Sequence, residues 1–279
     1  MINKYTLQRW AGISTRQIVM IAATFLSLFP IYFMLISSFK TQDEYRENTW
    51  GLPTIYTLKN FVTSVGQEKF AERFVNSAIL TIGAVLISSL FACLAAYAFA
   101  RMNFRGKHTI FNLILALMVI PPVVMITPLF VSMVRWDLIN SYQGVILIYT
   151  GLLLPFSIFL MTNFFKTIPR EIVEAARIDG CSSLNIFWKI LIPLSAPAII
   201  TMIVVNALWV WNELLIALVF LQKDEMKTVM VSVAAMRGRF YLDIPATMAG
   251  LLIATVPIIL LYLFGQRYFI RGLTSGAVK

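Results

Sequence analysis

The chain has 279 residues, 59% of them hydrophobic and only 13% charged, with a net charge of +10 and one histidine. So apolar a composition excludes an ordinary soluble domain. A basic excess of this size can signal a nucleic-acid partner, but the placement of the charges along the chain argues for a membrane instead.

Uncharged windows run over residues 17–39, 74–100, 109–134, 138–165 and 244–266, and a sixth, 190–222, is broken only by Glu213. Each exceeds the roughly 20 residues that about 30 Å of hydrocarbon needs at ~1.5 Å per residue. The predicted fold is an all-α membrane protein with six transmembrane helices. Residues 1–16 read as a short basic lead-in. The first span carries Pro30 and is too long for the apolar part of a cleaved leader, so an uncleaved anchor is expected. Residues 40–72 form a first outer loop of mixed charge, in which Trp50, Pro53 and Tyr56 suit either an interface or surface packing.

The second span begins near Arg73 and holds Asn76 and Ser77. Its far end is rich in Ala92, Ala95, Ala96 and Ala98, small residues that permit close helix approach. A basic turn, Arg101–Lys107, reverses the chain. The third span contains Pro121, Pro122 and Pro128, which predict a kink that is either architectural or pore-lining. Trp136 and Tyr142 mark the outer interface before a fourth span with Pro155. A polar segment follows between Pro169 and Pro193. Pro169 suits a first helical turn, and Glu171 and Glu174 suit its electropositive end. Gly180 suits a left-handed helix stop. Ser182 or Ser183 can cap a second helix, whose apolar face is predicted to be Leu184, Phe187, Trp188 and Leu191. The fifth span holds Asn206, Asn212 and Glu213. An acid at this depth costs several kcal/mol, about 2.5–3.5 at the bilayer centre, so Glu213 is expected to face protein, water or solute. A last outer loop, 223–243, contains Arg237, Gly238 and Arg239. The sixth span carries Pro257 and leads into a tail, 271–279.

Six spans put both termini on one side, together with the 101–107 and 166–189 loops. That side carries thirteen bases against Glu171, Glu174 and Asp179, while the other side is neutral. The basic-loop rule makes it cytoplasmic, and no nucleic-acid partner is needed to explain the charge. Catalytic signatures are missing: there is no H-E-x-x-H, no G-x-S-x-G and no nucleotide-binding G-x-x-x-x-G-K-[ST]. Cys93 and Cys181 lie too differently to pair and show no metal spacing. The chain is therefore expected to be no enzyme and to hold no cofactor or metal of its own. Asn76, Pro121, Asn206, Asn212 and Glu213 are the candidate pathway-lining residues.

Glu174-Ala175-Ala176, Asp179-Gly180, Ile190 and Pro193 at these spacings resemble the EAA loop of bacterial ABC importer permeases. Ile192 stands where that pattern has leucine. Pro197, Trp211-Asn212-Glu213 and the ending Arg271–Lys279 are similar to the smaller permease subunit of the carbohydrate-uptake branch, as in the maltose importer. The resemblance covers nearly the whole chain. It implies a first helix and loop over 17–72, a permease core over 73–270 with its EAA loop at 169–193, and a cytoplasmic tail at 271–279. It also implies that Glu174, Ala175, Ala176, Asp179, Gly180, Ile190 and Pro193 couple to an ATPase, with Phe187, Trp188 and Leu191 fixing the motif to the bundle. The implied partners are a homologous second permease, two copies of a cytoplasmic ATPase that bind Mg-ATP, an extracytoplasmic solute-binding protein, and the inner-membrane bilayer. The implied cargo is a sugar or oligosaccharide. Two other readings stay open: an ion-coupled secondary transporter using Glu213, and a non-transporting membrane scaffold.

Overall fold

A computed structural model describes residues 4–67, 69–239 and 243–275, and every regular element among them is helical. In chain order these are α1 (Lys4–Ser38), α2 (Gln42–Glu47), α3 (Lys59–Gln67), α4 (Phe70–Arg101), α5 (Lys107–Leu117), α6 (Pro122–Arg135), α7 (Tyr142–Thr167), α8 (Arg170–Ile178) and α9 (Ser183–Ile186). A π-helical turn, Phe187–Leu191, leads into α10 (Ile192–Leu194), α11 (Ala196–Asn212) and α12 (Leu215–Phe220). A 3-10 turn at Asp224–Met226, α13 (Val229–Arg239) and α14 (Ile244–Ser275) complete the series. Residues 1–3 of the lead-in and 276–279 of the tail lie outside the described residues.

Four stretches are long and apolar enough to cross a bilayer alone: Arg16–Ser38, Phe70–Arg101, Tyr142–Thr167 and Ile244–Leu263. The third apolar window is two helices, not one kinked helix: α5 and α6 meet at a bend of 100°. Neither is long enough by itself, at roughly 16 and 21 Å. The cause is local. Pro121 and Pro122 supply no N–H, and Pro121 adopts an extended conformation with ψ 132° at the start of α6. A second bend, of 77°, separates Ser183–Leu194 from α11, with Pro197 in the first turn of α11. Counting each bent pair as one crossing gives up to six spans. The predicted outer loops also hold helices, α2 and α3 in the first and α13 in the last.

The chain divides into two compact units, one made of Met1–Phe70 and Val233–Thr255, the other of Ala71–Ser232 and Val256–Lys279. In the first unit, no residue of the most apolar window of α1 is buried. Its end is tied down by polar groups: Asn60 Nδ2 donates to the carbonyls of Ser38 and Lys40, both at 2.7 Å. Ser64 Oγ donates to Ala246 O at 2.9 Å. Lys40 is itself fully buried, and desolvation lowers its pKa from the ordinary lysine value, with Glu44 opposing.

The second unit holds two apolar cores. One packs the small residues Ala92 and Ala96 of α4 against Met161 and Phe165 of α7, Val173 and Ala176 of α8, and Ile186, Phe187 and Leu191. The other joins Leu80 and Ala84 of α4, Tyr149 and Leu153 of α7, Ala207 and Val210 of α11, and Ile216 and Phe220 of α12. Since lipid tails are as apolar as these side chains, such cores hold by close packing and hydrogen bonds. One such bond, Asn206 Nδ2 to Ser157 Oγ at 2.8 Å, links α11 to α7. Cross-helix bonds of this kind are worth about 0.6 kcal/mol on average.

Candidate functional site

The segment 169–197 is built as two short helices around a sharp turn. Pro169, extended at ψ 139°, opens α8. Asp179 ends it, and Gly180 takes φ +80°, the left-handed region that suits glycine. Cys181 N then reaches back to Ala176 O at 2.9 Å and closes the turn. Ser182 Oγ accepts from Asn185 N at 3.2 Å and starts α9. The chain widens into a π turn at Phe187–Leu191, where Ile192 N–H bonds to Phe187 O five residues back. Pro193 explains the widening, because its ring would collide with the carbonyl of Lys189 in a regular α-turn.

These windings sort the predicted coupling residues into two groups. Glu174, Ala175, Asp179, Gly180 and Pro193 are exposed. Ala176 is buried with Val173 in the chain's own core, and Ile190 packs against the same core. Ala176, expected among the coupling residues, thus packs inward and does not stand on the exposed side of α8. The predicted apolar face of the second helix is also corrected. Phe187 and Leu191 are buried, but Leu184 and Trp188 are 61% and 49% exposed, and Ile186 is buried instead. The π turn accounts for part of this shift, because it changes the number of residues per turn. At the end of α8, Ile178 is 87% exposed, an apolar side chain in full contact with solvent beside Glu174 and Asp179.

Arg101, not singled out from sequence, anchors the entry to this segment. Its guanidinium donates to the carbonyls of Phe165 and Ile168, tying the end of α4 to the junction of α7 and α8. The available signal was an arginine in the last turn of a long helix, a pattern too common to stand out. Tyr97 adds a ring contact with Phe187 at 5.7 Å.

A second candidate region is a cavity of about 730 Å³ between α5, α6, α7 and α11. Met118, Pro122, Trp136, Phe156, Asn206 and Trp209 are among the residues lining it. Of the five predicted pathway residues, only Asn206 is in its wall. Asn76 is buried and fully engaged: Nδ2 donates to the carbonyls of Glu225 and Lys227 at 2.7 and 3.0 Å, and Oδ1 accepts from Tyr142 Oη at 2.7 Å. Beside it, the buried Arg73 pairs with Asp224 at 2.8 Å. Hydrogen bonds from Lys227 and then Arg73 hold the Asp224 carboxyl below its ordinary range. Asn76 therefore ties α4 to the 224–227 turn and to Tyr142. Pro121 sits at the exposed break before α6, and Asn212 donates back to Leu208 O at 2.7 Å.

Glu213 ends α11 and caps α12. Its carboxylate accepts from Ile216 N at 2.9 and 3.0 Å and from Ala217 N at 3.2 Å. It also accepts from Tyr149 Oη at 2.8 Å. Three donors thus converge on this acid, two backbone N–H groups and one hydroxyl, with the Ile216 N–H shared between both oxygens. No cluster of three or more metal-ligating side chains occurs among the described residues.

The family model described as "Binding-protein-dependent transport system inner membrane component" matches residues 88–275. A melibiose/raffinose/stachyose import permease protein of Bacillus subtilis is 34% identical over 90% of this chain and 91% of its own length. An arabinooligosaccharides transport system permease protein of Halalkalibacterium halodurans is 34% identical over 91% and 92%. Among solved structures, a chain of a bacterial ABC transporter involved in import of the acidic polysaccharide alginate superposes with a TM-score of 0.80 at 24% identity. It covers 96% of this chain and 99% of that one, and it shows the same fold.

Proposed function

The chain belongs to the family of binding-protein-dependent transport system inner membrane components and is a permease subunit of an ABC importer, and we propose that it carries a sugar or oligosaccharide. The named cargoes of its relatives are the support for that class: melibiose, raffinose and stachyose in one and arabinooligosaccharides in another. In this reading the chain forms the pathway with a homologous second permease across six spans, α5 and α6 together making one of them and α11 another. It receives solute from an extracytoplasmic binding protein and is driven by two cytoplasmic ATPase subunits that bind Mg-ATP. Its basic face and both termini lie in the cytoplasm.

The carrying observation for the coupling role is the exposed side of α8 and the turn after it. Glu174, Ala175, Ile178, Asp179 and Gly180 stand outward, while Val173 and Ala176 root the helix in the core. A carboxylate beside a small residue and an apolar tip suits a groove that supplies a basic or N–H donor and an apolar pocket. ATP-driven closure of the two ATPases would move α8 as a lever through Arg101 and the π turn, and so alternate the access of the pathway.

The test is mild-detergent purification together with solute uptake. Wild type is expected to bring down an ATPase and a second permease, and Glu174→Lys to lose ATP-driven uptake while inserting normally. Undiminished uptake by Glu174→Lys would remove the coupling role. A lone stable permease with proton- or sodium-driven uptake would overturn the importer assembly. Glu213 is engaged by Tyr149, Ile216 and Ala217 as a structural cap, which favours the importer reading over ion coupling.

A further inference from the structure

Four basic side chains from four helices gather where three spans end. Arg101 closes the Phe70–Arg101 span, Lys166 stands next to the last residue of the Tyr142–Thr167 span, and Lys107 opens the bent α5–α6 pair. Arg170 is the first residue of α8. The Arg101 guanidinium donates to the carbonyls of Phe165 and Ile168, which brings the ends of α4 and α7 together. Lys107 lies in the positive fields of both Lys166 and Arg170, and Arg101 in that of Arg170. Glu171 acts on Arg101 with the opposite sign. The ion pairs among the described residues are Arg73–Asp224 and Lys227–Asp224, so among these residues no carboxylate pairs with any of the four cations. Like charges held close repel one another, and a counter-charge from outside the chain relieves that repulsion.

The level of the cluster argues for the kind of anion. The Lys166 ammonium lies 5.5 Å from the centre of the Phe111 ring. Phe111 stands one turn inside α5, roughly 6 Å beyond Lys107 along the helix. It meets Phe99 at 5.3 Å, and Phe99 meets Phe104 at 5.8 Å. The cations therefore rest on an aromatic layer at the ends of the spans, which is the level of lipid phosphates. A recess of about 340 Å³ opens beside them, with Asn103, Lys107, His108 and Thr109 in its wall. A homologous permease would bring its own basic excess to this level, by the rule that orients this chain, and so supplies the wrong sign. An acid on a soluble subunit would have to reach the ring of Phe111, inside the apolar window 109–134, to meet Lys166.

We propose that Lys107, Lys166 and Arg170, with Arg101 as their fixed base, bind the phosphodiester headgroup of an anionic phospholipid and so tie the ends of α4, α5, α7 and α8 together. The site goes beyond the transport reading and needs only that these spans end at a membrane surface. Arg101 is committed to backbone carbonyls and positions the cluster, while the exposed Lys166 and Arg170 and the half-buried Lys107 meet the phosphate. Basic pockets between helices on the cytoplasmic side hold lipid headgroups in this way, each lysine or arginine adding about fivefold to the affinity.

The test uses the full complex, with its co-purifying subunits, in detergent. Phosphatidylglycerol or phosphatidylcholine is added in matched amounts, and bound lipid is counted by native mass spectrometry. Wild type is expected to retain phosphatidylglycerol in preference. Lys166→Gln should weaken that retention about fivefold, and Lys107→Gln with Lys166→Gln about thirtyfold. Lys223→Gln removes the same charge from an exposed site outside the cluster and should leave retention unchanged. Equal retention of the two lipids by wild type overturns the site, as does unchanged retention in the double variant. Displacement of the lipid by millimolar inorganic phosphate would show a site for free anions and overturn the lipid assignment. Loss of the co-purifying ATPase from the double variant, with lipid retention intact, would give the cluster to that subunit instead. A photoactivatable phosphatidylglycerol tests wild type alone, whether or not the variants assemble. Cross-links are expected within 101–111 and 163–170, and their absence from both segments overturns the proposal.

Discussion

Successive residues of an α-helix point roughly 100° apart, so Ala175 and Ala176 cannot share one environment at the surface of a bundle. Ala176 lies in the core with Val173, Phe187 and Leu191, whereas Ala175 is exposed beside Glu174. Enlarging each therefore gives opposite results. Ala176→Leu overpacks a filled core and is expected to cost about 1–3 kcal/mol of stability. Ala175 is exposed, so Ala175→Leu is expected to stay within about 0.5 kcal/mol of wild type. Its effect should fall on ATPase co-purification and uptake instead. Thermal unfolding in detergent, run beside pull-down of the ATPase, separates the two, and a shift of equal size in both variants would contradict the assignment. The run Glu174-Ala175-Ala176 was legible from sequence as a motif. Which alanine faces inward was not, because that depends on what α8 packs against.

At the scale of elements, helix breaks decide what the sequence left ambiguous. Prolines at 30, 155 and 257 stay inside helices, while the pair Pro121-Pro122 divides α5 from α6. The difference is that two adjacent residues without N–H groups remove consecutive backbone bonds, where a single proline removes one. Glu213 is a break of another kind. Its carboxylate takes the free N–H groups of Ile216 and Ala217, ending one helix and starting the next. Glu213→Ala is expected to destabilise the fold by about 0.5–2 kcal/mol, the range for loss of an N-terminal cap. It also strips the Tyr149 hydroxyl of its acceptor. Glu213→Gln keeps one acceptor oxygen and is expected to retain uptake with unchanged ion dependence. Proton- or sodium-dependent uptake that disappears in Glu213→Gln would restore the acid to a coupling role. The sequence marked Glu213 as costly and facing away from lipid; the identity of its partners came only from the fold around it.

At the scale of the whole molecule, the excess of positive charge on one face predicts orientation, and two cysteines provide the means to measure it. Cys93 is buried within α4, and Cys181 is half-buried in the turn after α8. A membrane-impermeant thiol reagent is therefore expected to label Cys181 in inside-out vesicles and to leave intact cells unlabelled, with Cys93 silent in both. Labelling of Cys181 from outside intact cells would invert the assigned topology.

Hydropathy windows and charge asymmetry by themselves determined a helical membrane protein, and the residues Glu174, Gly180 and Pro193 carried its resemblance to the ABC importer permeases. These are properties of single segments, fixed by the length of apolar chain a bilayer requires and by which residues allow a turn. Tertiary structure alone decided which groups Asn76 and Glu213 bond to, that Ala176 is core, and that Arg101 holds the base of α8. In each case the role belongs to a hydrogen bond or a packed face contributed by residues distant in sequence. A polar side chain read alone carries no record of the carbonyl it will meet, and an apolar one carries no record of whether protein or lipid will cover it.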